Sequence, residues 1–559
     1  MNKLKSKRKL QDIFRPRKLD KQLANTLLGR MESNGNSFTQ ETAEHLNCTW
    51  TISSRMRENI PQDGRVIFWV GTPQKHNENL CLISLIQEVR HDVLMIADDP
   101  VIHFVRNYEE QKSPLLIEYS QKRDYTKELS EALQSEKAVI ISAPANYEHG
   151  RMTWARDVIR LAKKLEAPVV PVSFERGKNL LEPISTNPFK NRLQLPNKEI
   201  RINIGEMIPV ASFSNLKSRI AARLVYAHQK AINKGLPGIL RTIPNVVHQV
   251  SSKRLRKEIF QGETLGFTED NKVILLFEYD QAPLVMQEIS RLRELTFRKI
   301  GEGTGNRKDT DQYDRFYHHL VLWDDEEMEI VGAYRLGLCR RILDNQGMEG
   351  LYSNSLFEYT GQYKELLADA VECGRSFVQE KYWNSMALDY LWHGIGAFIA
   401  KNPQITHLFG PVSISQTYTK DARDHLIYFY SQWFRPAAQD IRSRNPYQIA
   451  EQTRARLQEQ YPHENYKEEF RVLKKNLKML GFAVPTLYKQ YTELCEAGGV
   501  LFFDFGVDPD FNNCIDGLIW VHIPQITEKK RDRYINNKEN SVQFAPTFLS
   551  LSEKQKNKS

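Results

Sequence analysis

Residues 288–337 read EISRLRELTFRKIGEGTGNRKDTDQYDRFYHHLVLWDDEEMEIVGAYRLG, and this stretch decides how the second half of the chain is interpreted. Apolar residues recur at spacings of three and four from Val285 to Leu295, with charged residues between them. This period predicts an amphipathic helix. Arg293 and Phe297, four residues apart, are therefore expected on one side of that helix.

An acidic cluster and two strands are predicted after this helix. The cluster is Asp309-x-Asp311-x-x-Asp314, and it follows a glycine-rich break in the chain. Residues 319–323 and 330–336 then alternate apolar and polar positions, which is typical of paired strands. A basic and aromatic helix, an acidic loop and a strand that carries an arginine thus fall within about fifty residues.

The second half of the chain contains four motifs in a defined order. Arg-x-x-x-Phe, (Glu/Asp)-x-Asp-x-x-Asp and Val-Gly-x-x-Arg-Leu, the last containing Arg335, are followed by Glu372-x-x-Arg375. This order resembles the acyl-homoserine-lactone synthases and the ornithine lipid N-acyltransferases. The segments EGLYSNSLFEY, LDYLWHGIGAFI, HLFGPVSIS and DFGVDPDFNNCIDGL favour the long, two-domain ornithine lipid synthases. The resemblance implies an α+β acetyltransferase-like (GNAT) fold in the second half.

The resemblance also implies the chemistry. Such enzymes take an acyl chain from the phosphopantetheine thioester of acyl carrier protein, and an aliphatic amine must lose a proton before it attacks. We expect Asp309 or Glu372 to be the base, with Asp311 and Asp314 binding the acceptor's ammonium group or bracing Arg293. The candidate catalytic residues are Asp309, Asp311, Asp314 and Glu372, and the candidate substrate-binding residues are Arg293, Phe297, Arg335 and Arg375.

No other cofactor and no metal are expected. Gly394-Ile395-Gly396-Ala397 lies in an aromatic, apolar run without a basic residue, which predicts a packed helix rather than a cradle for the pyrophosphate of coenzyme A. The six cysteines contain no Cys-x-x-Cys pair. This argues against a zinc ribbon, a thioredoxin-like site and a disulfide framework.

The first half predicts a separate α/β domain with a largely parallel sheet, because strand and helix patterns alternate from residue 66 to residue 174. It resembles the glycerolipid O-acyltransferases, whose lipid-synthase branch carries a His and an Asp after the first strand. Here Thr72 and Glu78 occupy those positions, and a threonine is no base near neutral pH. We expect a degenerate domain that docks or presents an acceptor. The alternative is that His76, in the same loop, supplies the base.

Composition limits the cellular context. The 559 residues carry a net charge of +9, and the first 21 positions hold nine lysines and arginines. This cluster is compatible with an anionic membrane surface, with nucleic acid or with a solvated tail. Nucleic-acid binding is disfavoured because no recognition motif accompanies the charge. No apolar run reaches the roughly 18 residues of a membrane span. These features predict a cytoplasmic protein at the inner face of the membrane.

The predicted organisation has five parts. They are a basic N-terminal segment (1–60), the degenerate O-acyltransferase-like domain (61–230), a linker (231–272), the GNAT-like domain (273–535) and a tail (536–559). The expected function is N-acylation of ornithine or a similar amino acid, with a second O-acylation if the first domain is active. The alternatives are an acyl-homoserine-lactone-type synthase and a non-enzymatic membrane scaffold.

Overall fold

The computed structural model describes residues 26–27, 38–45, 49–71, 76–97, 116–118, 126–142, 153–176 and 200–536. The chain divides into two compact units, Met1–His248 and Gln249–Ser559. Each unit is described by itself below. Among the described residues, the helices are all too short or too polar to cross a lipid bilayer.

The first unit is built on a seven-stranded sheet with the order β1-β7-β6-β2-β5-β3-β4. All its strand pairs are parallel except β6 with β7. The strands are β1 (Trp50–Thr51), β2 (Val66–Val70), β3 (Val93–Ala97), β4 (Leu116–Glu118), β5 (Ala138–Ser142), β6 (Val169–Arg176) and β7 (Ile200–Ile204). The helices are α1 (Phe38–His45), α2 (Ser54–Arg57), α3 (His76–Gln87), α4 (Thr126–Gln134), α5 (Thr153–Lys164) and α6 (Ser218–Ile232).

Helices cover both faces of this sheet, so its central strand is apolar at every position. Phe68 and Val70 of β2 pack with α3 on one face, and Ile67 and Trp69 pack with α5 and α6 on the other. This double burial explains the continuous apolar run that predicted the strand. The parallel-rich sheet agrees with the predicted α/β class. Its likeness to the O-acyltransferases stays a prediction.

The two residues of the predicted degenerate motif differ in what the structure shows. Glu78 is buried in the first turn of α3. Thr72 lies outside the described residues, as do residues 1–25, which contain the nine clustered lysines and arginines. His76 is the first residue of α3.

The second unit is built on an eight-stranded sheet with the order β16-β17-β14-β13-β11-β10-β9-β8. Its strands are antiparallel except for the parallel pair β13 and β14. The strands are β8 (Glu263–Phe267), β9 (Val273–Glu278), β10 (His318–Asp324), β11 (Glu329–Leu338), β13 (Ala370–Val378), β14 (His407–Ile414), β16 (Val500–Asp508) and β17 (Cys514–His522); β12 (Phe357–Tyr359) and β15 (Ile441–Ser443) form a separate pair.

Helices surround this sheet. They are α7 (Ser252–Ile259), α8 (Pro283–Lys299), α9 (Cys339–Gln346), α10 (Gly361–Leu366), α11 (Ala387–Lys401), α12 (Lys420–Trp433), α13 (Glu451–Gln460), α14 (Tyr466–Met479), α15 (Thr486–Thr492) and α16 (Glu528–Arg531). The predicted amphipathic helix is α8, and the two predicted strands are β10 and β11. Residues 231–272, predicted as a linker, contain α7 and β8. Strand β8 pairs with β9 at the edge of the sheet, so this part of the chain is structured rather than a linker. The sequence of β8 contains few residues typical of strands, and the pairing was therefore not predicted.

Strands β13 and β14 separate soon after they begin to pair. Their register runs from Ala370 opposite His407 to Glu372 opposite Phe409 and then stops. At that point the strands are very close, since a Cβ on Gly410 would lie 2.1 Å from the carbonyl oxygen of Cys373. Beyond it each strand continues alone on that edge. The separation opens a cleft in the sheet.

Candidate active site

A cavity of about 490 Å³ occupies the cleft between the separated strands. β13 lines it with residues 373–376, and β14 lines it with residues 409–413. This volume is typical of a pocket for a small organic ligand. The cavity also receives side chains from α8, α11 and the loops around them.

The cavity is apolar at one end of β14 and polar at the other. Leu408 lies opposite Val521 of β17, whereas Ser413 lies opposite Asp516. These two pairs are five residues apart, or roughly 17 Å along a strand. Further apolar lining comes from Tyr334, Trp392, Ile395, Leu487, Tyr491 and Ile519. The cavity therefore offers a slot for an apolar chain beside a polar compartment.

Three arginines and three aspartates form one ion-pair network next to the polar compartment. Arg293 Nε donates to Asp309 Oδ2 at 3.1 Å, and its Nη1 donates to Asp314 Oδ1 at 2.8 Å. Arg335 Nη1 donates to both oxygens of Asp311 at 2.6 and 2.7 Å, and to Asp314 Oδ1 at 3.0 Å. Three positive and three negative charges balance. The network thus unites the arginines and acids that the sequence patterns singled out.

The aspartates of this network are held in their charged form. Burial raises the pKa of Asp309, but the attraction of Arg293 and Arg375 outweighs burial and places that pKa below the ordinary value. Burial also opposes ionisation of Asp314, yet Arg293 and Arg335 lower its pKa strongly. Such carboxylates are weak bases, because the neighbouring arginines stabilise the charged form and make protonation unfavourable.

Arg375 is the member of the network that faces the cavity. It lies at an irregularity in the β11–β13 pairing, where its φ is 48°, a left-handed value that few non-glycine residues adopt. Its guanidinium lies between the rings of Tyr352 and Phe511, with centroids at 4.7 and 4.8 Å. The stacking and the bulge fix the direction of its N–H groups.

The polar contacts of Arg375 are long. Nη1 lies 3.4 Å from Tyr352 Oη, Nη2 lies 3.3 Å from Asp311 Oδ2, and Nε lies 3.5 Å from Asp309 Oδ2. Charge-assisted hydrogen bonds are usually 2.7–2.9 Å long. Nε makes no hydrogen bond within the described part of the chain. Arg375 therefore makes no short charge-assisted hydrogen bond within the network.

Glu372 lies in a separate buried site. Tyr317 Oη donates a short hydrogen bond to Glu372 Oε2, and the backbone N–H of Ser353 donates to Oε1 at 2.6 Å. Burial raises the pKa of Glu372, although these donors oppose the rise. Both carboxylate oxygens are occupied, and Glu372 is not among the residues that line the cavity.

Two other carboxyl groups line the cavity, Glu302 and Asp516. Ser413 Oγ donates to Glu302 Oε2 at 2.8 Å. Burial raises the pKa of Glu302 to about 7, against the hydrogen bond from Ser413 and the charge of Arg375. Burial also raises the pKa of Asp516, and the charges of Asp508 and Glu302 add to that rise.

Cys373 lines the cavity as well, and its thiol stays protonated near neutral pH. Burial raises its pKa to about 12, with a further contribution from the charge of Glu372. The thiolate is the nucleophilic form of cysteine, so this residue is unsuited to carry an acyl group.

The chain is similar to a known protein family and to individual known proteins. A family model described as an acetyltransferase (GNAT) domain matches residues 292–393. The glycine N(alpha)-acyltransferase of Phocaeicola vulgatus is 30% identical over 305 residues, which are 52% of this chain and 93% of that protein. The chain belongs to the glycine Nα-acyltransferase family. The relative from Bacteroides thetaiotaomicron, also a glycine N(alpha)-acyltransferase, is 30% identical over 303 residues, or 52% of this chain and 89% of that protein.

The chain is also similar to solved structures of acyl-homoserine lactone synthases. The CoA-dependent acyl-homoserine lactone synthase MesI is 12% identical, covers 47% of this chain and 94% of its own, and gives a TM-score of 0.22. BjaI, a second such synthase, is 13% identical, covers 35% and 92%, and gives a TM-score of 0.19. These scores are too low to inform the function.

This member of the glycine Nα-acyltransferase family is a GNAT-family N-acyltransferase, as the sequence analysis predicted. Among the predicted site residues that the structure describes, Phe297 and Arg375 line the cavity. Arg293, Arg335 and the three aspartates form the adjoining network, and Glu372 is bound by Tyr317 and Ser353. Their catalytic and binding roles stay predictions.

Sequence reasoning missed Glu302, which it passed over as part of a glycine-rich break. The signal available was an acid between two glycines, directly after the helix that carries Arg-x-x-x-Phe. Ser413 and Asp516 lie in the segments GPVSIS and DFGVDPDFNNCIDG, which resembled the lipid synthases but offered no derivable role. The predicted packed helix around Gly394 and Gly396 is confirmed, because a Cβ on Gly396 would lie 1.9 Å from the backbone oxygen of Tyr534.

Proposed function

We propose that this protein transfers an acyl chain from a thioester to the α-amine of an amino acid, with glycine as the first candidate acceptor. The names of both relatives support glycine. The observation that carries the proposal is Arg375, a buried guanidinium that lines the cavity and whose contacts with Tyr352, Asp311 and Asp309 are all long. A planar, forked donor is suited to a carboxylate, which every α-amino acid carries.

The thioester occupies the same cavity from its apolar side. An acyl chain that extends along β14 toward Leu408 and Val521 places its carbonyl carbon near the polar compartment. The separation from β14 leaves backbone N–H groups on one edge of β13 without a partner strand. Such donors stabilise the negative charge that develops on a thioester oxygen during attack. Because Cys373 is not a nucleophile, the acceptor amine attacks the thioester directly.

Acyl carrier protein is the proposed donor. The glycine pair in α11 is packed against the sheet and against Tyr534, so it cannot cradle a pyrophosphate. The carbonyl and the chain are nevertheless common to acyl carrier protein and coenzyme A thioesters. Both donors therefore belong in the assay, and we expect higher kcat/KM with the carrier protein.

Ornithine is the second candidate acceptor, and one observation favours it. Two carboxyl groups, Glu302 and Asp516, line the polar compartment, whereas glycine has a single amine. A second ammonium group would ionise Asp516 by offering it a counter-charge. Removing Asp516 should then reduce activity with ornithine more than activity with glycine.

The direct test is product analysis with the purified full-length chain. Long-chain acyl carrier protein or acyl coenzyme A is incubated with glycine, ornithine or lysine, and products are identified by mass spectrometry. We expect an N-acyl amino acid whose formation falls about tenfold to a hundredfold in Arg375→Met, through a higher KM for the acceptor. Absence of product with all three acceptors and both donors would refute the proposal.

The first unit is proposed to bind or present substrate rather than to add a second acyl chain, since Thr72 replaces the expected base. A diacylated product that disappears in Glu78→Gln would contradict this. The basic N-terminal segment is proposed to hold the enzyme on an anionic membrane surface. Flotation with vesicles of neutral and anionic lipid tests that attachment, and equal binding to both would exclude it.

A further inference from the structure

The polar compartment contains a carboxylate that the family motifs do not include. Glu302 follows α8 by three residues and is only 4% exposed, yet it belongs to the cavity lining. Within the described residues, the hydrogen bond recorded to its carboxylate comes from Ser413 Oγ to Oε2. Its Oε1 atom is thus left to interact with a molecule in the cavity.

The backbone holds Glu302 in this position. Its N–H donates to Phe297 O at 2.8 Å, which folds the chain back onto the end of α8. The carbonyl of Gly301 accepts from Asn512 Nδ2 at 2.7 Å, and the carbonyl of Ile300 accepts a short hydrogen bond from Ser415 Oγ. The loop after β14 and the turn between β16 and β17 therefore fix the segment, and a fixed base needs little rearrangement before proton transfer.

The other carboxylates are less suited to take a proton. Asp309 and Asp314 are ion-paired with buried arginines, and both oxygens of Glu372 accept hydrogen bonds away from the cavity. Asp516 does line the cavity, but burial and the charges of Asp508 and Glu302 all raise its pKa and favour its protonated form. By contrast, Glu302 changes its protonation state near neutral pH, where a general base is most effective.

We propose that Glu302 is the catalytic base that accepts the proton of the acceptor's ammonium group. This inference rests on the proposed N-acylation. The Glu302 carboxylate takes one proton and leaves a neutral amine. The amine nitrogen then attacks the thioester carbon, so a C–N bond forms and the C–S bond breaks. The thiolate that leaves takes the second proton lost by the nitrogen, and the proton on Glu302 passes to solvent.

Several ionisable groups share the surroundings of Glu302 and enter its pH dependence. Arg375 of β13 favours the carboxylate and donates to the acceptor's carboxyl group in the proposed complex. The other groups whose pKa depends on the charge of Glu302 are Tyr418, Tyr488, Cys514 and Asp516. The pKa values of Tyr418, Tyr488 and Cys514 are raised above their ordinary values, so these three groups stay neutral near neutral pH. The charge of Glu302 contributes to the raised pKa of Asp516.

The test measures kcat/KM for glycine, and kcat, between pH 5.5 and 9 for the full-length chain with saturating acyl carrier protein thioester. We expect the wild-type kcat/KM, which reports the free enzyme, to rise with pH through a midpoint of about 7. Glu302→Gln should lose about 10²-fold to 10⁴-fold in kcat and should lose this rise. Glu326→Gln, in the exposed turn between β10 and β11, is the matched control and should behave as wild type.

A positioning variant separates a catalytic role from a structural one. Ser413→Ala removes the hydrogen bond that favours the charged form of Glu302, so the midpoint of the profile should move to higher pH while high-pH activity is largely kept. Wild-type activity together with an unchanged profile in Glu302→Gln would overturn the base assignment and leave N-acylation standing. No acylation of any amino acid by the wild type would overturn both.

Discussion

Replacing Glu302 by glutamine should stabilise the protein while it abolishes activity. The buried carboxyl has a pKa of about 7 in place of its ordinary 4.5. At about 1.4 kcal/mol per pH unit, ionising it in the folded state costs about 3 kcal/mol at pH 8. Glutamine keeps the shape and can still accept from Ser413 Oγ. We therefore expect Glu302→Gln to raise the free energy of unfolding by about 3 kcal/mol at pH 8.

The sign of the pH dependence identifies the cause. A carboxyl with a raised pKa loses its stabilising contribution as pH rises from the unfolded pKa through the folded one, so the advantage of glutamine should grow between pH 4.5 and 7. It should be near zero at pH 4.5. Asp309→Asn should differ, because the lowered pKa of Asp309 makes its carboxylate stabilising at every pH above 3.8, and this contribution is lost only as pH falls below that value through the folded pKa. The difference between wild type and Asp309→Asn should therefore be flat from pH 4.5 to 8.5.

Urea unfolding is followed by hydrogen-exchange labelling of peptides from β13 and β14. This measures the free energy of unfolding of the unit that contains Glu302 and avoids averaging over both units. The difference between wild type and variant is plotted against pH from 4.5 to 8.5. A difference that does not change with pH would refute the reasoning, since it would mean that the pKa of Glu302 is ordinary. A difference that falls as pH rises would refute it as well.

Three further variants test the rest of the site. Arg375→Lys should raise the KM for glycine about tenfold to a hundredfold, because an ammonium cannot replace a stacked, forked donor. Steady-state kinetics measure this KM, and an unchanged value would contradict the prediction. Arg293→Met should destabilise the protein by about 3–5 kcal/mol in denaturant unfolding, since it leaves two buried carboxylates without their partner, whereas exposed Lys364→Met should have little effect. Cys373→Ala should retain most of kcat, and mass spectrometry should find no acyl adduct on the wild-type thiol; a stable acyl-cysteine would disprove direct transfer.

The elements that contain the motifs could be predicted because each has a regular period. α8, β10 and β11 were expected from apolar residues at helical spacing and from alternation, and the structure places them within a few residues of those positions. The order of the acids and arginines singled out all six residues of the ion-pair network, with bracing of Arg293 as one of the expected roles. Apart from Arg375, these residues lie within one short stretch, where sequence spacing and spatial proximity agree.

The cleft could not be predicted from spacing. It depends on β13 and β14 pairing for only three residues and then separating, and no local pattern reveals where a parallel pair ends. Consequently the sequence placed the base among the motif acids. The two acids that line the cavity are Glu302 and Asp516. They lie close together because Ser413 of β14 pairs with Asp516 of β17 and donates a hydrogen bond to Glu302.

In the proposed complex Arg375 binds the carboxylate of the acceptor and Glu302 accepts a proton from its ammonium group, and these two requirements together constrain the length of the acceptor. In glycine one carbon separates the amine from the carboxyl group, whereas β-alanine carries the same groups with one more methylene. If Arg375 and Glu302 both engage the acceptor, β-alanine must misplace its nitrogen at the thioester. We expect its kcat to fall about 10²-fold at saturation, since misplacement by roughly 1 Å has this effect. If Arg375 contacts the acceptor and Glu302 does not, β-alanine should have a higher KM than glycine and the same kcat. Equal kcat for glycine and β-alanine in the wild type would show that the two residues do not hold the acceptor between them.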